Sequence, residues 1–164
     1  MRVRRLYINK IHVIMEILSY VILLICYAVT IYSISISPVR VPTHYDFEGN
    51  IDGYGSPYSY LFLPTIMLIT NITISLIMHF VDAKNWNMPF KINAGRELVV
   101  YRDISYMFVA MEVLFSCFTL TSSISNLDLE YTGKITSIAA IVMIILLFMV
   151  ITVPTIFAYR HNKI

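Results

Sequence analysis

The sequence predicts an all-α integral membrane protein with four transmembrane helices and a polar headpiece outside the membrane. Of its 164 residues, 58 % are hydrophobic and 13 % are charged, whereas about a quarter are charged in ordinary soluble domains. The apolar residues fall in four runs, and crossing a hydrocarbon core of ~30 Å takes about 20 helical residues. We expect one four-helix domain over residues 1–164, with helices at about residues 11–36, 59–81, 104–125 and 135–159.

The first run follows three arginines, as the core of a secretory signal does. It is far longer than the ~7–15 apolar residues of such a core, and no small-x-small cleavage site follows it. We therefore expect this run to stay in the protein as its first helix. The helix should end at Ser37, because the following Pro38 disfavours helical backbone in the residue before it.

The connection between the first two helices, residues 37–58, is the predicted exoplasmic headpiece. Glu48-Gly49-Asn50 and Asp52-Gly53 are residues typical of turns. The Asp52-Gly53 pair is predicted to form a tight hairpin turn. Because these turns fold the loop back on itself, we expect His44 and Asp52 to approach each other or a shared ligand.

The second connection, residues 82–103, is predicted to lie at the lipid headgroups. Asn93 is a candidate N-cap for a helix that begins at about Ala94 and continues into the third span. Aromatic and apolar side chains of this connection are expected to enter the lipid interface. They are Trp86, Met88 and Phe90.

Positive charge orients the chain in the membrane. Ten of the 12 Lys and Arg residues lie near the termini or in the second connection, and Arg40 and Lys134 lie in the other two. By the positive-inside rule, both termini face the cytoplasm and the headpiece faces out. The formal net charge of +2 does not call for a nucleic-acid partner. The ten basic residues on the predicted cytoplasmic side favour contact with anionic membrane lipids.

Four headpiece side chains have the chemistry of metal ligands: His44, Asp46, Glu48 and Asp52. Imidazole and carboxylate groups bind divalent metals, so a divalent metal is the candidate cofactor. The alternative is structural: His44 bonds the loop backbone, Asp52 caps a turn and the other acids are solvated. No HExxH motif, phosphate-binding glycine loop or nucleophile beside a base is present, so the sequence favours a role other than catalysis.

A second polar group lies within the predicted membrane spans. Glu112 is about 12 Å deep in the third span, and Asn71 lies at nearly the same depth in the second. Acids in such positions usually face the bundle interior and are candidates for a functional role. Either Glu112 is a protonated acid that shares a hydrogen bond with Asn71, or it is a proton or cation site reached from His12, Glu16 and His79. We expect His12 and His79 to be interfacial and wet.

Two blocks of sequence carry a family resemblance. The first is Pro42-Thr43-His44, then Gly49, then Asp52-Gly53-Tyr54-Gly55-Ser56, a PxHxxxxGxxDGxGS pattern, and the second is Asn87-Met88-Pro89-Phe90-Lys91-Ile92-Asn93. Over residues 11–106 the chain resembles a bacterial membrane family of unknown function typified by the SdpI-type immunity proteins. Its members usually carry a lysine after the serine, where this chain has Pro57.

The resemblance implies a four-helix core in the bacterial inner membrane. SdpI-type members protect a cell from a secreted toxic peptide and relay its presence to a regulator. We therefore expect recognition of a peptide, lipid or membrane-protein partner at the outer face, through His44, Gly49, Asp52, Gly53 and Gly55. The alternative is a metal-dependent membrane enzyme using the headpiece ligands, or a small ion or proton carrier using Glu112, for which a homodimer would be the minimum assembly.

Overall fold

The computed structural model describes residues 6–46, 48, 50–128 and 132–164. Each of the four α-helices in these residues is long and apolar enough to cross a membrane, the second together with a short 3-10 helix, Pro57–Leu61, that leads into it. The prediction of an all-α protein with four membrane spans is confirmed. The helices are α1 (Lys10–Ile36), α2 (Phe62–Phe80), α3 (Glu97–Ser125) and α4 (Thr132–Lys163).

Helix α3 is the centre of the bundle, since it packs against α1, α2 and α4. Its buried face is rich in serine, threonine and acids, and the buried face of α1 is likewise mostly polar. Large apolar side chains of α4, such as Ile144 and Phe148, are exposed. Polar residues inside and apolar residues outside are what a bundle in lipid needs, because lipid is as apolar as leucine.

Contacts between helix ends place the start of α1 and the end of α4 at the same end of the bundle. The Tyr7 hydroxyl, just before α1, donates to the backbone carbonyl of Met78 in the last turns of α2, at 3.5 Å. His161 Nδ1, near the end of α4, lies 2.7 Å from Asp103 Oδ2 in α3. We call this the terminal end and the opposite one the hairpin end. The side of the membrane that each end faces stays a prediction from the basic residues.

A β-hairpin lies between α1 and the 3-10 helix. Its strands β1 (Val41–Tyr45) and β2 (Ile51–Gly55) run antiparallel, with His44 opposite Gly53. The chain reverses between Asp46 and Asn50, where the backbone N–H of Asp46 donates to the backbone carbonyl of Asn50 at 2.9 Å. The predicted turn at Asp52-Gly53 is therefore wrong. Those residues lie within β2, because the side chain of Asp46 organises an earlier turn.

Helix α3 begins at Glu97, later than predicted, and Asn93 does not cap it. The residue at the cap position is Arg96, which makes no side-chain capping bond. Gly95, with φ of 84°, turns the chain into the helix in a conformation that glycine adopts at little cost. The Asn93 side chain instead donates to the backbone carbonyl of Asn162, at 2.7 Å.

The second connection packs on the protein rather than only on lipid. Its partly buried side chains lie against a small core formed by Val100 and Ile104 of α3 and Ala158 of α4. They are Trp86, Met88, Phe90 and Ile92. The first three therefore cover the joint between α3 and α4 at the terminal end, and their entry into the lipid interface stays a prediction.

Candidate functional site

The hairpin presents a histidine and an aspartate as a pair at its surface. His44 Nδ1 lies 2.5 Å from Asp52 Oδ1, and the two side chains are 72 % and 47 % exposed. The strands bring them together because His44 of β1 pairs with Gly53, the neighbour of Asp52 in β2. An exposed ion pair contributes at most about 1 kcal/mol to stability. The pair is thus available to a ligand at little cost to the fold.

The other two headpiece acids build the turn. Asp46 Oδ1 accepts from the backbone N–H groups of Glu48 and Asn50, at 2.9 and 2.8 Å. The Asn50 amide also donates to Asp46 Oδ2 and Glu48 Oε2, at 3.0 and 3.2 Å. No three His, Cys, Asp or Glu side chains in the described part of the chain form a group that could hold a metal ion. The predicted ligands His44, Asp46, Glu48 and Asp52 therefore do not come together as one site.

Two glycines of the pattern let the strands approach closely. A Cβ atom added to Gly55 would lie 2.8 Å from Thr43 Cγ2, and one added to Gly53 would lie 3.0 Å from His44 Cβ. Gly53 thus leaves room for the backbone and side chain of His44, which positions the pair. The predicted ligand-binding role of these glycines stays a prediction, and Gly49 lies outside the described residues.

The base of the hairpin is anchored to the rest of the protein. Val41 is fully buried and Pro42 is also buried. The Ser56 hydroxyl accepts from the backbone N–H of Tyr58, at 3.4 Å, and so caps the 3-10 helix. Pro57, in place of the lysine usual in the resembled family, begins this helix. Its missing N–H costs little at that position.

Within the membrane spans, Glu112 of α3 is fully buried and bonded to α2. Its Oε1 atom accepts from the Ser75 hydroxyl at 2.8 Å, and Ser75 Oγ lies 2.9 Å from the Tyr20 hydroxyl of α1. Because Ser75 uses its proton toward Glu112, Tyr20 is the donor to Ser75. The described residues provide no hydrogen-bond partner for Glu112 Oε2.

Asn71 lies beside Glu112, as its depth predicts, but it does not bond the carboxyl group. Its Nδ2 atom donates to the backbone carbonyl of Glu112, at 3.2 Å, and to Ser116 Oγ, at 3.0 Å. The predicted bond between the two side chains is therefore wrong, and Ser75, one helical turn from Asn71, takes that place. Asn71 Oδ1 also has no hydrogen-bond partner among the described residues.

The polar residues near the terminal end differ in exposure. Glu16 Oε2 lies 2.8 Å from His79 Nε2, and the His79 side chain is 31 % exposed. His12, which was expected to be wet, is fully buried. Its Nε2 atom lies 2.8 Å from Ser105 Oγ, and its ring stacks on Tyr106 with 4.0 Å between centroids. The interfacial expectation is corrected for His12, because α3 covers this face of α1.

The sequence does not predict the pair between Asp103 and His161. The two residues are 58 positions apart and belong to different spans. Each of the two residues lies where a predicted span meets the lipid headgroups, which is a weak indication of a polar contact. Nothing in the sequence indicates that the third and fourth helices bring them together.

Comparison with known protein families gives a match over the hairpin and the helix segments on either side of it. Residues 21–68 match a family described as a domain of unknown function (DUF1648). Neither a curated protein nor a solved structure is significantly similar to the chain. The SdpI-type assignment and the His44 pattern stay predictions. The chain is therefore a multi-pass, four-helix membrane protein that contains a domain similar to this family of unknown function.

Proposed function

We propose that this protein is a bacterial inner-membrane binding protein that recognises an extended peptide at the outer face through the His44 hairpin, residues 41–55. Immunity against a secreted peptide, or signalling of its presence, is the role that fits such recognition. The observation that carries the proposal is the exposed pair of His44 and Asp52 on a sheet that has two strands within the described residues. Such a sheet offers backbone groups at its edge to a further strand.

The open edge is β2 rather than β1. Pro42 lacks an N–H group, and the first two residues of β1 are buried, so this strand offers few groups to a partner. In β2, by contrast, Ile51 and Tyr54 are 39 % and 57 % exposed. A peptide added beside β2 would gain backbone hydrogen bonds from the strand and specificity from the side chains next to it.

The side chains beside this edge suit a peptide with a basic group. Asp52 offers a carboxylate, which a lysine, arginine or amino terminus would bind in place of His44. Tyr54 and Tyr58 are exposed, and tyrosines bury large area at a small entropic cost. The alternative of a metal-dependent enzyme is not supported, since its four ligands are not assembled in the described residues.

Binding of secreted peptides to purified protein in lipid nanodiscs tests the proposal. Wild type should retain one or more peptides from a fractionated culture medium, and Asp52→Asn should lose them. The matched control is Asp82→Asn, which removes another exposed aspartate, paired with Lys84 at 3.3 Å, from the terminal end. Equal retention by both variants would contradict the proposal. Cells that express wild type, but not Asp52→Asn, should survive the retained peptide.

A further inference from the structure

Three polar contacts follow one another along α1 from the terminal end. His12, Glu16 and Tyr20 are four residues apart, so they lie on one face of the helix, about 6 Å apart along its axis. His12 contacts Ser105 of α3, and Glu16 contacts His79 of α2. Tyr20 contacts Ser75, which lies one turn from His79 on the same face of α2.

This series of contacts ends on Glu112. The hydroxyl of Tyr20 donates to Ser75, and the hydroxyl of Ser75 donates to Glu112 Oε1, at 2.9 and 2.8 Å. Both hydroxyl groups therefore point their protons toward the carboxyl group. The other carboxyl oxygen, Oε2, is buried and has no partner in the described part of the chain.

The surroundings of Glu112 disfavour a bare negative charge. A buried carboxylate in apolar surroundings is costly unless charges or several hydrogen bonds compensate it. Among the described residues Glu112 forms no ion pair, and the acid that interacts with it electrostatically from α1 is Glu16. Tyr20 of α1 and His79 of α2 are the other titratable groups on the faces packed toward it. A proton on Glu112 removes the charge.

Toward the hairpin end the same path is closed by packed groups. Leu23 and Cys26 of α1 are buried, and Cys26 Sγ lies 3.8 Å from the backbone carbonyl of Ser116. The hydroxyl groups of Ser116 and Thr119 donate to carbonyls of their own helix, at 2.8 and 2.7 Å. Protons committed to the backbone do not continue a relay.

We propose that Glu112 is a proton-binding site that exchanges its proton with the terminal end alone, through Ser75, Tyr20 and the pair of Glu16 and His79. In loading, Ser75 gives its proton to Glu112 Oε1 and takes one from Tyr20. Tyr20 regains a proton through one water molecule from the Glu16–His79 pair, since Glu16 and Tyr20 are about 6 Å apart along the axis of α1. The pair in turn takes its proton from bulk water. Unloading runs through the same groups in reverse. The site is independent of peptide recognition at the hairpin.

Infrared difference spectroscopy of the protein in nanodiscs tests the bound proton. Wild type at neutral pH should show a carboxylic-acid C=O band that Glu112→Gln removes, whereas Glu97→Gln, which replaces an exposed glutamate of the same helix, should keep it. Ser75→Ala should move the band to higher frequency, because it deletes the hydrogen bond to Oε1. A band unchanged by both Glu112→Gln and Ser75→Ala would overturn the proposal, and the Ser75 variant decides if Glu112→Gln fails to fold.

The route is tested by the rate at which this band follows a pH jump. His79→Gln should slow the response at least about tenfold, because it removes an acid–base group from the path. His161→Gln is the matched control, since it breaks another histidine–acid contact at the same end, 2.7 Å in length, and should leave the rate unchanged. In oriented proteoliposomes, the band should respond to a pH jump on the terminal side and should not respond to a pH jump on the hairpin side. Equal slowing by both variants, or an equally fast response from the hairpin side, would refute the route.

Discussion

Asn162, in the last turn of α4, holds Asn93 of the second connection from two sides. Its Oδ1 atom accepts from the backbone N–H of Asn93, and its backbone carbonyl accepts from the Asn93 side chain, both at 2.7 Å. The Asn162 amide also donates to the carbonyl of Lys91, at 3.0 Å. Because the fourth helix meets its neighbours mainly through α3, these bonds fasten its end to the chain that precedes α3.

The first prediction concerns the hydrogen bonds between Asn162 and the second connection. Asn162→Ala removes two side-chain hydrogen bonds and should lower the free energy of unfolding by about 2 kcal/mol, whereas Asn93→Ala removes one and should cost about half as much. Thermal unfolding in detergent measures both. Asn85→Ala, at an exposed position nearby, is the control and should have no effect. Equal stability of the Asn162 variant and wild type would contradict the role.

The second prediction concerns the close approach of the two strands. Gly55→Ala would place its methyl group 2.8 Å from Thr43 Cγ2, so it should destabilise the hairpin by about 1–3 kcal/mol through overpacking. Hydrogen exchange over residues 41–55 reports the loss. Adding Thr43→Ser removes the clashing methyl group and should restore protection, while Thr43→Ser alone should change little. Failure of the double variant to recover would show that glycine is needed for another reason.

The third prediction separates binding from folding at the exposed pair. Asp52→Asn should change the free energy of unfolding by less than about 1 kcal/mol, because the pair is largely exposed. The same variant should lose peptide retention in nanodiscs. A large loss of stability together with the loss of binding would mean that the pair supports the hairpin instead.

The fourth prediction is the orientation of the bundle. In a variant without Cys26 and Cys117, a cysteine at position 50 should react with a membrane-impermeant thiol reagent in intact cells, since Asn50 is exposed at the hairpin end. A cysteine at position 85, at the terminal end, should react only after the cells are opened. The reverse pattern would show that the basic residues had been misinterpreted.

The spans were predictable from the sequence because a run of about 20 apolar residues leaves the backbone few alternatives in lipid. The meeting of His44 with Asp52 followed from the turn residues between them. The position of the turn could not be predicted, because Asp46 and Asp52 are both turn-forming residues. The hydrogen bonds that the Asp46 side chain accepts from Asn50 place the turn before β2. Likewise, the sequence does not single out Ser75 as the partner of Glu112, because Asn71 on the same face of α2 is the stronger polar signal.

The polar lining of α1 and α3 has a consequence for which substitutions the bundle tolerates. Residues such as Ser116 and Ser123 are buried at 0 % and 2 % exposure, so the available volume limits which larger side chains can replace them. Alanine or cysteine fits the available volume there. Leucine is tolerated on the lipid-facing side, but at these contacts it would force the helices apart. At these buried positions a hydropathy scale therefore ranks substitutions in nearly the opposite order to their effect, and side-chain size is the better guide.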